Sequence, residues 1–157
     1  MKSFIVYNST TGEIVSLLNT SNISYTGIPE EEIMQQTILP QVGEGESLLE
    51  VPADIPDISL NYLDLTNMSL VQIPPSPGKG YLFNYVSKTW EPNIDMLSNI
   101  IMARRDELLG VTDWIIVRSM DTGEPVPDNV KSYRQALRNI TQQAGYPTNV
   151  VWPSLAE

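Results

Sequence analysis

Along the first ninety residues, apolar positions recur at intervals of two and are broken by turn-forming clusters. Phe4 to Tyr7 is a β-prone run, Asn8-Ser9-Thr10-Thr11-Gly12 has turn chemistry, and Glu13 to Leu18 reads as a returning strand, so the chain opens on a predicted hairpin. Tyr81-Leu82-Phe83-Asn84-Tyr85, then Val86-Ser87-Lys88 and Thr89-Trp90-Glu91, predict another. Tyr81, Phe83 and Tyr85 share one face at period two, and that face is expected to pack. Between the hairpins, Ile58 to Tyr62 alternates and Met68 to Ile73 does so more weakly. Pro29-Glu30-Glu31-Glu32 reads as the first turn of a short helix, with carboxylates at the positive end of its dipole. Pro74-Pro75-Ser76-Pro77-Gly78-Lys79-Gly80 reads as a spacer, stiff and then flexible.

After Pro92 the period lengthens towards that of a helix. Ile94, Leu97, Ile101 and Leu108 fall near one face, widened by Ile100 and Leu109 and interrupted by Arg104 and Arg105. Gly110 is a place for this helix to end, and Thr112 a cap for the next turn. Trp114-Ile115-Ile116-Val117 is either a helix continuation or a short buried strand, which periodicity does not separate. Asp121 to Asp128 is a loop with Gly123, Pro125 and Pro127. Val130, Tyr133, Leu137, Ile140 and Ala144 then make the stripe of an amphipathic helix, stopped by Gly145 and Pro147. The apolar tail Val150-Val151-Trp152-Pro153 is expected to fold back. The pattern as a whole predicts an α+β chain: a β-rich N-terminal domain with hairpins over 1–91, then a small helical C-terminal domain over 92–157.

Composition narrows the chemistry. The chain has 157 residues, 41% of them apolar and 18% charged, enough to bury a core without cross-links. It contains neither cysteine nor histidine. Disulfides, thiolate metal sites, histidine-ligated zinc and every mechanism with a histidine base are excluded. The net charge is −10, with three lysines against eleven carboxylates in 1–91 and six basic against eight acidic residues in 92–157. Such a chain repels phosphate backbones, so nucleic acid is not an expected partner. The short apolar start, ended by Asn8 to Thr11, is no signal peptide, and no window approaches a membrane span; the expected setting is a cytoplasm.

The candidate functional residues concentrate in the C-terminal part. Arg104, Arg105, Arg118, Arg134 and Arg138 have three readings: a structural one, in which Asp113 or Asp106 pairs an arginine and the rings of Trp114 or Trp152 lie on guanidinium planes; a protein-recognition surface; and nucleic-acid binding, which the acidic total disfavours. Asp106-Glu107 and Asp121/Glu124 are the nearby carboxylate pairs, and surface solvation explains them without a shared cleft. Gly43 to Glu46 and Gly78 to Gly80 lack the spacing of a phosphate loop. No catalytic constellation emerges, so the chain is expected not to be an enzyme and to carry no cofactor or metal.

Arg105 and Leu108-Leu109, then Thr112-Asp113-Trp114, Tyr133-Arg134-Gln135-Ala136-Leu137-Arg138 and Trp152-Pro153 form a spaced pattern over about residues 95–153. This pattern resembles the phage tail assembly chaperone family, the tail fibre assembly proteins. Proteins that look like this often begin with a Tyr-x-x-x-x-Gly hairpin, which Tyr7 to Gly12 fits, and an aromatic strand before a tryptophan, which Tyr81 to Trp90 fits. Asn129-Val130 stands where relatives commonly place a tryptophan. The resemblance implies a viral protein of the host cytoplasm that binds a trimeric tail fibre and assists its folding or assembly, or stays on the virion tail as a subunit. Arg105, Arg118, Tyr133, Arg134, Arg138 and Trp90 are the candidate partner contacts; Thr112, Asp113, Trp114, Leu137, Trp152 and Pro153 are the structural motif. The reading from another class is a virion-bound carbohydrate- or receptor-binding module, with Trp90 as its stacking platform. The chain's own oligomeric state stays open.

Overall fold

A computed structural model describes residues 2–19, 27, 29–52 and 57–155. The architecture is α+β, and its contacts group into two compact units: Met1–Pro75 with Phe83–Thr89, and Ser76–Leu82 with Trp90–Glu157.

In the first unit, β1 (Ser3–Asn8) is the centre of a three-stranded antiparallel sheet, flanked by β2 (Ile14–Asn19) and β3 (Glu46–Val51). This central strand is covered on both faces, so Ser3 to Tyr7 is buried throughout, and its β-prone run from Phe4 to Tyr7 is unbroken by polar residues. Pairing passes from Val6↔Ser16 to Tyr7↔Ile14, so Val15 is the extra residue of a bulge in β2. The face bearing Ile5 and Tyr7 meets Leu63, with Ile14, Leu49, Val51, Ile58, Leu65 and Leu70 around them. The β3 strand is not apparent from the sequence, because adjacent Leu48 and Leu49 blur the alternation.

The expected short helix is α1 (Glu30–Ile33), and the carbonyl of Pro29 accepts from the amides of Glu32 and Ile33. It passes through a π-helical turn, Met34–Ile38, and a 3-10 turn, Leu39–Gln41, that bury Ile33 and Ile38.

A second hairpin pairs β4 (Asn61–Asp64) with β5 (Ser69–Gln72). The alternation from Ile58 predicts a longer strand, but Ile58–Leu60 forms a 3-10 turn. The Asp57 carboxylate accepts from both the amide and the hydroxyl of Ser59, which bends the chain there. The third hairpin, β6 (Tyr81–Asn84) with β7 (Thr89–Pro92), has its tip Phe83–Thr89 in the first unit. The aromatic face packs as expected: the Phe83 ring lies 5.8 Å from Tyr62 and 5.2 Å, edge-on, from Tyr85.

The second unit is helical. Gly80 leads into it without a side chain because Leu97 occupies that space; a Cβ would lie 2.5 Å from Leu97 Cδ2. The Asn93 side chain caps α2 (Ile94–Val111) by accepting the Met96 amide, and Leu97 and Ile101 are its buried positions. The helix ends at Val111, one residue past Gly110, the place expected for its end. The run Trp114–Val117 is helical, within α3 (Asp113–Thr122). Then α4 (Asp128–Arg138) buries Val130, Tyr133, Arg134 and Leu137. A 3-10 turn, Ile140–Gln142, takes Ile140 inward. Ala144, placed by the stripe on the same face, lies beyond the end of the helix and is exposed. The tail folds back as expected, because Gln143 both donates to the Val151 carbonyl and accepts from its amide, each at 2.8 Å.

Candidate functional site: an arginine clamp and the exposed face of α3

The end of α2 leaves unpaired carbonyls, as every helix end does. Leu109 O accepts from the amide and the hydroxyl of Thr112, at 3.1 and 2.9 Å. Thr112 therefore uses its hydroxyl on the helix before it, not as a cap for α3, where it makes no capping bond. The amphipathic stripe of α4 brings Arg134 to this junction. Its Nη1 donates to Leu109 O at 2.8 Å and to Thr112 Oγ1 at 2.6 Å, and its Nη2 lies 2.8 Å from Asp113 Oδ1. One guanidinium thus meets the negative end of the α2 dipole and the carboxylate in the first turn of α3. Its Nε is buried without a partner.

This arrangement sorts the candidate residues. Tyr133 and Arg134, two of the candidate partner contacts, are each 9% exposed, because the α4 stripe turns both into the unit's interior. Thr112 is buried and Leu137 fully so, whereas Asp113 keeps an exposed carboxylate while paired to Arg134. Arg105 pairs with Asp106 beside it. Of the two pairings read for Asp113 and Asp106, both form. Arg138 is exposed in the last turn of α4, a favourable place for a cation. Trp90, on β7, is half-buried, and Pro153 likewise; Trp152 is 37% exposed. Trp114 and Trp152 show no arginine stacked on their rings among the described residues; Lys88 lies over the ring of Tyr62.

The larger departure is Trp114. Its ring is 60% exposed, and Val111, Val117 and Met120 are exposed by 64, 64 and 81%. No residue of α3 is buried. Beside this face the chain turns back: Gly123 takes the left-handed conformation (φ 73°), its amide donates to Ser119 O, and the Ser119 hydroxyl donates to Glu124 O. The result is a groove of about 260 Å³ between α3 and the loop, lined by Trp114, Ile115, Arg118, Ser119, Thr122, Glu124, Pro125, Val126 and Pro127. Arg118 stands in it 3.7 Å from Glu124, both side chains mostly in water, an ion pair of little energetic weight. The structure thus brings Trp114 and Arg118 together and leaves Trp90, Arg105 and Arg138 out of the groove. Val117, Met120 and the loop prolines were not among the candidate contacts. Their signal is that α3, once read as a helix, puts apolar side chains at 114, 117 and 120 in one row, apart from the half-buried Ile115 and Ile116.

Residues 98–157 match the family described as phage tail assembly chaperone protein, the class that the Thr112-Asp113-Trp114 and Tyr133 to Arg138 patterns resemble. That segment holds nearly all of α2, all of α3 and α4, and the tail; the hairpins lie outside it. No curated protein and no solved structure matches the chain. No helix among the described residues is long and apolar enough to cross a membrane.

Proposed function

We propose that this protein is a chaperone for a phage tail fibre, binding the trimeric fibre while it folds or assembles and staying on the tail as a subunit where the complex is stable. The observation that carries the reading is the family match over residues 98–157, joined to a helix within that segment whose Trp114, Val117 and Met120 are exposed. Unassembled fibres expose apolar strands and unpaired edges, which a small acidic protein can cover. Tryptophan, methionine and arginine are the side chains that interfaces favour, and α3 presents Trp114, Met120 and Arg118. In this reading the clamp of Thr112, Asp113 and Arg134 supports the surface by fixing α3, and Arg138 is a peripheral contact.

The test is coexpression with a tail fibre protein of the same phage, followed by size exclusion and mass determination. Soluble fibre trimer only in the presence of this chain is the expected result, and co-elution identifies a retained subunit. Trp114→Ala with Arg118→Glu is expected to abolish fibre solubility while shifting the melting temperature by about 4 °C or less, since the exposed ring loses little burial. Soluble fibre without this chain and no co-elution would overturn the proposal and turn attention to glycan binding.

A further inference from the structure

The three hairpins of the N-terminal half carry the same turn. In the first, Asn8 Oδ1 accepts the amides of Thr10 and Thr11, and Gly12 donates its amide to Asn8 O with φ at +70°. In the second, Asp64 Oδ1 accepts the Thr66 amide, and Met68 donates to Asp64 O with φ at +56°. In the third, Asn84 Oδ1 accepts the amides of Val86 and Ser87, and Lys88 donates to Asn84 O with φ at +58°. Each copy thus starts on Asn or Asp, closes four residues later on a left-handed residue, and is preceded by a large apolar residue, Tyr7, Leu63 or Phe83. Met68 and Lys88 are the two non-glycine residues with positive φ among those described, and both stand at this one place.

That place has different neighbours in the first and third copies. At Gly12 a Cβ would lie 2.0 Å from Leu63 O, and the Leu63 amide donates to Gly12 O at 2.8 Å; the second copy is docked backbone to backbone on the first turn. Glycine is required there by the contact as well as by φ. At the third copy a side chain takes this position and reaches back. Lys88 Nζ donates to Thr11 O at 2.6 Å, one residue from the Leu63 contact, and lies 4.3 Å from the centre of the Tyr62 ring. One ammonium therefore touches the turn of the first copy and the strand of the second, while its own backbone holds the third turn in a conformation that costs a non-glycine residue energy.

We infer that the N-terminal half is built from three copies of one hairpin module, and that Lys88 is the latch closing the third copy onto the other two. The strained backbone at 88 is maintained because the side chain gains its carbonyl and its aromatic face only from that geometry. The first turn, with adjacent Thr11 and Gly12 carbonyls both occupied, is the hub of the array.

The experiment is hydrogen–deuterium exchange on the full chain, comparing wild type with Lys88→Met. Methionine already occupies the equivalent backbone position at Met68, so the variant removes the ammonium while keeping a side chain the turn accommodates. The expected result is exchange at least about tenfold faster across Phe83–Thr89, with the amides of β4 and β5, Leu63 included, keeping their protection. Unchanged exchange at 83–89 would overturn the latch, and so would an equal loss across all three hairpins, which would make Lys88 a general stabiliser. Met68→Gly changes the same turn position in a copy without the ammonium and is expected to leave 83–89 unaltered. Faster exchange there in that variant would assign the effect to turn conformation and overturn the inference as well.

Discussion

Arg134 is the residue on which the helical unit turns. Its guanidinium satisfies a carbonyl at the end of α2, the Thr112 hydroxyl and the Asp113 carboxylate at once. Arg134→Met would keep the stem and leave two of those acceptors with one partner fewer in a buried setting. The expected destabilisation is about 2–4 kcal/mol, most of it from the Leu109 and Thr112 contacts, because the exposed Asp113 partner is replaceable by water. Denaturant unfolding of the full chain measures it, and a loss under about 1 kcal/mol would show that the clamp is not structural. The sequence allowed either a structural or a recognition role for this arginine, and its burial and three contacts supply the structural one. Trp114 goes the opposite way. A tryptophan between Asp113 and three β-branched residues reads as core, yet the helix that carries it buries no residue.

Among the elements, the hairpins differ in one chemical respect. The second turn is held by a carboxylate, Asp64, where the others use the amides Asn8 and Asn84. The backbone and side-chain hydrogen bonds from Thr66, with a smaller contribution from the Lys88 charge, hold the Asp64 carboxyl below its ordinary value of 3.8. A carboxylate with a lowered folded pKa contributes stability above its unfolded value, and this contribution is lost as pH falls through the folded value. The second hairpin is therefore expected to lose protection below about pH 4, before the turns at Asn8 and Asn84. Asp64→Asn should abolish that difference, measurable by exchange at the Thr66 and Met68 amides between pH 5 and 2.5 or so. Persistence of the acid transition in the variant would assign it elsewhere, Asp57 being the first candidate since Ser59 lowers its pKa in the same way. At this scale the sequence was informative where turn chemistry is local, as at Asn8 to Gly12. It misled at Ile58 to Leu60, where one carboxylate on Ser59 outweighs a two-residue alternation.

The whole molecule carries a charge of −10, and most of the excess lies in residues 1–91. The ion pairs present are mainly exposed ones that contribute little. Repulsion among unpaired carboxylates is then the larger electrostatic effect on stability, and salt screens it. Raising sodium chloride from about 10 mM to 0.5 M is expected to stabilise the fold by about 1 kcal/mol, a rise of about 2–4 °C in melting temperature. A fall would mean that the ion pairs outweigh the repulsion. The α+β character, the first and third hairpins, the helical region after Pro92 and the family resemblance follow from the sequence by itself, because periodicity, turn residues and motif spacing are properties of neighbours along the chain. Which arginine is buried, which tryptophan is exposed, and that Lys88 closes three hairpins on one turn were decided only by tertiary structure. Leu109 and Arg134 are 25 residues apart, and Thr11 and Lys88 are 77 apart. No local pattern encodes contacts across such distances; they arise when packed elements leave a carbonyl that a cation can reach.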